Sequence, residues 1–253
     1  FSQNILIGAS SGMAFGTFSL HLVPPALIIL AIAWLLILQL FRKDFAAIQM
    51  PKYTNERIFI YKPLLIKSMV SFALMAICVA IGLPVSLAGL AGASLLLITR
   101  RVAPERVFAD IDWSLLVLFP SLFVITKAAS QSAGFHFFYE HIGQLMNKSP
   151  AAFGAVSALM SQLISNVPTV MLLRPLVPAM QNPTLLWLIL AACTTLAGNF
   201  TLLGSVANLI MVELAKKRGV NISFGKYLKL GLPLTLASLA IALAWLILVS
   251  PGI

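Results

Sequence analysis

Apolar runs long enough to cross a bilayer recur along this chain, each bounded by basic residues or turn formers. A helix rises about 1.5 Å per residue, so about 20 apolar residues traverse the hydrocarbon core. Val23–Phe41 is the cleanest run, and Pro24-Pro25 near its start suit a first helical turn. Pro63–Gly82, Pro84–Thr99, Trp113–Ala129 and Phe224–Val249 are the others. Pro84–Thr99 is short and Gly-rich, and spans where the bilayer thins or neighbours cover it. Asp110 and Asp112 are placed to cap the run that starts at Trp113. Composition agrees: 60% of the 253 residues are apolar, 9% are charged, and the mean hydropathy is +1.00. Those figures exclude a soluble enzyme, a disordered chain, a coiled coil and, despite a net charge of +10, a nucleic-acid binder. Cys78 and Cys193 sit inside apolar runs and read as small core residues.

The basic residues orient these spans. With the loop after Phe41 placed in the cytoplasm, all 17 Lys and Arg residues except Lys127, Lys148 and Arg174 fall on the inner side. The C-terminus is then outside, and the expected location is a prokaryotic inner membrane.

Two stretches do not fit single crossings. Pro150–Met180 holds two apolar arms, Ala151–Ile164 and Thr169–Met180, joined at Ser165-Asn166-Val167-Pro168. Each arm is about 20 Å at most, too short to cross alone, and Pro168 disfavours continuing the helix. That pattern predicts a re-entrant hairpin that enters and leaves on the outer side. Thr184–Arg218 would be about 50 Å as one helix. Its centre, Gly198-Asn199-Phe200-Thr201-Leu202-Leu203-Gly204-Ser205, predicts two half-helices around a break.

An internal correspondence links the two ends. Asn4-Ile5-Leu6, Phe15-Gly16-Thr17-Phe18 and Pro24 match Asn208-Leu209-Ile210, Phe224-Gly225-Lys226-Tyr227 and Pro233, with the same Phe-to-Pro spacing. The charge assignment runs the matching helices in opposite directions, the sign of an inverted-topology repeat. The second copy begins near Lys62, and the first is represented only by its last part, so a first bundle and first hairpin are expected to precede Phe1.

The fold class is therefore an all-α polytopic membrane protein with an inverted-topology repeat, one re-entrant hairpin and one broken helix, its first repeat largely missing. Residues 1–22 form the end of a first broken helix with an outer loop, and 23–41 the last helix of the first repeat. Residues 42–62 are a cytoplasmic linker, 63–130 scaffold helices, and 131–149 an outer interfacial helix with Phe135, Phe138 and Ile142 on one side. Residues 150–180 are the hairpin, and 181–253 the broken and final helices.

Non-helical backbone at membrane depth survives only where protein or a water-filled cavity covers it, so paired breaks point to a binding site. Half-helix N-termini suit an anion, and carbonyl, Asn, Ser and Thr oxygens suit a hard cation such as Na⁺. Ser165, Asn166 and Thr169 at the hairpin tip are expected to face Asn199, Thr201, Gly204, Ser205 and Asn208 at the break, with Asn4 as the first-repeat counterpart. Arg174, about 9 Å past Pro168 along the second arm, is a candidate anion contact. The alternative for these Ser, Gly and Asn residues is helix termination and packing alone.

Ser161-Gln162-Leu163-Ile164-Ser165-Asn166-Val167-Pro168-Thr169 resembles the hairpin tip of the ion transporter superfamily. That group comprises arsenite efflux pumps, citrate transporters, divalent-anion/sodium symporters and one branch of sodium/proton antiporters. Leu202-Leu203-Gly204-Ser205-Val206-Ala207-Asn208-Leu209-Ile210 is similar to its second break, and Ser2-Gln3-Asn4-Ile5-Leu6-Ile7-Gly8 to the end of its first. The resemblance implies an elevator-type or rocking secondary transporter, a homodimer, with a small anion and a coupling ion as partners in the bilayer. Val167 stands where dicarboxylate members resemble Thr, Ser165 where proton-coupled antiporters place an acid, and Phe1-Ser2 where Asn-Pro is expected. No Asp or Glu lies deep in a span, which tilts coupling from H⁺ towards Na⁺. No enzyme activity, resident cofactor or metal beyond Na⁺ is expected. Gly8-Ala9-Ser10-Ser11-Gly12 matches a nucleophile-elbow pattern, but the three histidines fall near the outer surface. The rival readings are a non-transporting membrane subunit packed against a partner, and a sodium/proton antiporter.

Overall fold

A computed structural model describes residues 2–42, 61–98, 109, 111 and 113–249. Eleven α-helices and two short 3-10 turns fill them, with no strand among the described residues. The first half comprises α1 (Ser2–Ser11), α2 (Phe15–Leu40), α3 (Lys62–Ala80), α4 (Val85–Ile98) and α5 (Trp113–Ser130). The second comprises α6 (Ala133–Lys148), α7 (Pro150–Ile164), α8 (Asn166–Leu173), α9 (Pro183–Ala197), α10 (Val206–Lys217) and α11 (Phe224–Val249). Among the described residues, α2, α3 and α11 are long and apolar enough to cross a membrane. The Asp110 and Asp112 caps, the basic residues Lys43, Lys52, Arg57, Arg100, Arg101 and Arg106, and most of the 42–62 linker lie outside the described residues.

Local chemistry sets the helix ends. Ser149 caps α7 by accepting from the Ala152 amide at 3.1 Å, with Pro150 in the first turn where no donor is needed. Asn182 caps α9 in the same way through the Leu185 amide, again followed by Pro. The left-handed Gly82 and Gly219 end α3 and α10. After each, the next amide returns to the helix, Leu83 to the Cys78 carbonyl and Val220 to the Ala215 carbonyl.

Three sequence expectations need correction. The span predicted from Val23 begins at Phe15, and Pro24 and Pro25 lie inside α2. Membrane helices carry internal proline where neighbours cover the freed carbonyls, and Pro25 is buried. The hairpin joint is Ser165 alone: α8 starts at Asn166, so Pro168 sits in its first turn, where a missing donor costs no helical bond. The second arm is not one helix to Met180. It ends at Leu173 and is followed by a 3-10 turn over Val177–Ala179.

The core lies in the second half. Every residue of α9 from Leu185 to Ala191 is buried, which marks it as the central helix. It packs on α7, α8 and α11, and Phe153, Val170, Leu173 and Leu246 fill the contacts. α6 presents Phe135, Phe138 and Ile142 to this core. α3 and α4 form a separate pair, tied by the Ser71 hydroxyl donating to the Gly92 carbonyl at 2.7 Å. α2 and α11 pack together, each 26 residues long with a Pro at the same position from its start, Pro24 and Pro233.

Candidate functional site

The last turn of α9 and the segment after it form a hub. α9 stops at Ala197, the chain turns through Gly198–Thr201 and a 3-10 turn over Leu202–Gly204, and α10 resumes at Val206. An interruption of this kind exposes main-chain carbonyls, and side chains take them up. Asn208 donates its Nδ2 to the Gly198 carbonyl at 2.8 Å and, more weakly, to the Thr201 carbonyl at 3.4 Å. The two ends of the break are thereby stapled across the gap.

The last turn of α7 docks on the same hub. Ser161 Oγ donates to Asn166 Oδ1 at 2.6 Å and stands 3.2 Å from the Thr194 carbonyl. Gln162 reaches further. Its Nε2 donates to the Ala197 carbonyl at 2.5 Å, and its Oε1 accepts from the Thr201 hydroxyl at 3.2 Å. Gly204 makes room for it, since a Cβ there would stand 2.7 Å from Gln162 Oε1. α1 arrives from the other side. Gln3 Nε2 donates to the Thr195 hydroxyl at 3.3 Å, and that hydroxyl donates to Asn4 Oδ1 at 3.4 Å. Asn4 also lines an apolar-walled cavity of about 780 Å³ between α1, the start of α2 and the α3–α4 turn.

The structure thus joins Thr201, Gly204 and Asn208 into one bonded cluster, ties Asn166 through Ser161 to the last turn of α9, and sets Asn4 on the adjacent Thr195. Ser205 caps the start of α10 through its main chain, its carbonyl accepting from the Asn208 amide. The Asn199 side chain is exposed, while its carbonyl faces α11 at Gly231. Thr169 is fully buried and turns its hydroxyl back on the Ser165 carbonyl at 2.9 Å, within its own turn. Arg174 stands apart from the cluster, exposed at the end of α8, and donates to Ser10 Oγ at 3.4 Å. Ser10 itself donates to the Leu6 carbonyl, and neither that carbonyl nor Arg174 is a base that could activate the hydroxyl. Gln162, Ser161, Gln3, Thr194 and Thr195 were not singled out from the sequence. The legible signal for Gln162 was an amide in the last turn of an otherwise apolar arm, which must find a partner at membrane depth.

Ser165 is strained. Its φ of 75° and ψ of 162° lie in a region that only glycine occupies readily, at a cost of about 1–3 kcal/mol for other residues. Ser165→Gly is therefore expected to raise the thermal unfolding midpoint in detergent. A lowered midpoint would show that the hydroxyl contributes more than the strain removes.

An all-helical body with membrane-length helices, a broken helix and a buried polar cluster at the break defines an integral membrane protein of the permease class. The chain belongs to the citrate transporter family, whose sequence pattern matches residues 1–193. A 46 kDa membrane protein of Mycobacterium leprae is 29% identical over 94% of this chain and 60% of its own length. An uncharacterized transporter of Mycobacterium tuberculosis is 26% identical over 96% of this chain and 61% of its own. A putative transporter, arsB, of Dictyostelium discoideum is 31% identical over 67% of this chain and 31% of its own. The chain thus spans about three fifths of the length of these mycobacterial relatives. No solved structure matches it.

Proposed function

We propose that the chain forms the second-repeat part of a secondary active transporter that moves a small anion across the membrane, coupled to Na⁺ or H⁺. The observation that carries this reading is the cross-bonding of two helix interruptions. Ser161 and Gln162, beside the α7–α8 joint, bond to the last turn of α9 and to Thr201 within the α9–α10 break. Polar backbone at this depth is stable only when covered or when it lines a solute path. α7 and α8 act as a re-entrant hairpin, about 22 Å and 12 Å long and too short to cross. The equal helices α2 and α11, each preceded by a helix whose third residue is Asn, support an inverted repeat. The two asparagines suit opposite charges. With Ser161 donating to its Oδ1, Asn166 turns an amide donor the other way, fit for an anion. Asn208, with its nitrogen committed to carbonyls, keeps its Oδ1 as an acceptor, fit for a cation. Among the described residues the acids are Glu140 and Glu213, both exposed, so Na⁺ is the better coupling candidate.

The test is flux in membrane vesicles carrying the complete gene product, with citrate and arsenite as probes. An inward Na⁺ gradient is expected to drive uptake of one probe, a choline gradient to drive none, and Asn166→Ala to cut the rate at least about tenfold, as loss of a buried hydrogen bond to a charged ligand would. Flux of neither probe under Na⁺ or proton gradients would overturn the reading.

A further inference from the structure

We propose that Gln162 is a positioning residue that fixes the polarity of the α9–α10 break, so that the break presents lone pairs and receives a hard monovalent cation rather than an anion. The proposal rests on reading the cluster as a transport site.

The argument is a chain of forced orientations. A main-chain carbonyl can only accept. The end of the Gln162 amide that lies 2.5 Å from the Ala197 carbonyl must therefore be the nitrogen. The other end is then the oxygen, and it faces Thr201 Oγ1 at 3.2 Å. An amide oxygen also only accepts, so the single Thr201 proton goes to Gln162. Thr201 Oγ1 keeps only lone pairs for anything else. Asn208 is settled in the same way, because both partners of its nitrogen, the Gly198 and Thr201 carbonyls, are acceptors. Its Oδ1 is an acceptor too. Two side-chain oxygens at one break are thus left with lone pairs and no proton to give, the donor set that hard cations take. An anion there would meet no proton from either group.

Gln162 controls the less constrained of the two. A threonine hydroxyl rotates freely unless an acceptor holds its proton. Without Gln162 the Thr201 proton would swing among other acceptors, including the site itself. Gly204 keeps the tie possible, since its missing Cβ leaves the space beside Gln162 Oε1 and Nε2.

The experiment is Na⁺ titration of thermal stability and of flux in the complete gene product, with choline chloride as the control. Gln162→Met keeps the length of the side chain and removes both bonds. It is expected to raise the half-saturating Na⁺ concentration about tenfold, with less effect on the maximal rate. Thr201→Val should do the same, and Thr201→Ser, which keeps the hydroxyl, should stay near the unmodified value. If Gln162 acts through Thr201, Gln162→Met combined with Thr201→Val should be no worse than either alone. A half-saturation within about twofold of unmodified protein in Gln162→Met, or effects that add in the double variant, would overturn the proposal while leaving a cation site in place. Should Gln162→Met not fold, an unchanged half-saturation in Thr201→Val overturns it equally. Absence of any Na⁺ response in the unmodified protein would remove the cation reading, and this proposal with it.

Discussion

Asn208→Leu is expected to lower the unfolding midpoint by about 6 °C and to abolish stabilisation by Na⁺. Leucine keeps the branched outline and the number of heavy atoms of the side chain and removes its hydrogen bonds. Asn208 Nδ2 is the side-chain donor to the Gly198 carbonyl at 2.8 Å and reaches the Thr201 carbonyl at 3.4 Å. An orphaned buried acceptor costs about 1–3 kcal/mol, and the penalty grows where no water replaces the donor. The Thr201 carbonyl keeps the Gly204 amide at 3.1 Å, so the one orphaned acceptor, that of Gly198, gives about 2 kcal/mol, which for a chain of this size is about 6 °C. The check is thermal unfolding in detergent with NaCl against choline chloride. Asn208→Asp separates the donor from the shape. A carboxylate has no proton to give the Gly198 carbonyl and a protonated carboxyl has one, so acidification should recover part of the midpoint. A midpoint for Asn208→Leu within about 2 °C of the unmodified protein would mean that the break is held by packing alone.

The break itself was legible in the sequence, and its stapling was not. Gly198, Asn199, Thr201, Gly204 and Ser205 interrupt an apolar stretch too long for one crossing, and the helices end and restart around them as expected. Such residues announce where a helix stops because they offer the backbone other partners. They do not announce which side chain from elsewhere takes the freed carbonyls. Gln162 lies far along the chain from Ala197 and Thr201, and no periodicity links them. The hairpin shows a different limit. Pro168 reads as the breaker because proline usually is one, yet it falls in a first turn that has no bond to lose. The real discontinuity is Ser165 at positive φ, and serine carries no signal for that conformation. The α2 boundary failed for a related reason: a Pro-Pro pair suits a helix start, but burial of Pro25 lets the helix run through it. Thr169 was placed in the site on its position alone, whereas a threonine inside a helix readily returns its hydroxyl to the preceding turn.

Gly231→Ala should destabilise the protein by about 2 kcal/mol, whereas Gly225→Ala, on the same helix, should be neutral or stabilising. In an unobstructed helix, alanine is worth up to about 1 kcal/mol over glycine, because glycine loses more backbone freedom on folding. Gly225 meets nothing within 4 Å of an added Cβ, so only that gain applies. At Gly231 the same methyl would stand 2.7 Å from the Asn199 carbonyl oxygen and 3.1 Å from that of Phe200. These are main-chain atoms of the break, and they cannot swing aside as a side-chain tip would. Either α11 retreats or the break shifts, and overpacking of this kind costs about 1–3 kcal/mol. The opposite signs make the pair diagnostic, because helix propensity cancels between them. The functional consequence follows from the same contact. Asn199 and Phe200 lie between Gly198, which Asn208 staples, and Thr201, which Gln162 holds. Pressure from α11 at Gly231 therefore reaches the cluster through two residues of backbone, and Na⁺-driven flux should fall with stability in Gly231→Ala and persist in Gly225→Ala. Equal midpoints for the two variants would show that α11 does not bear on the break.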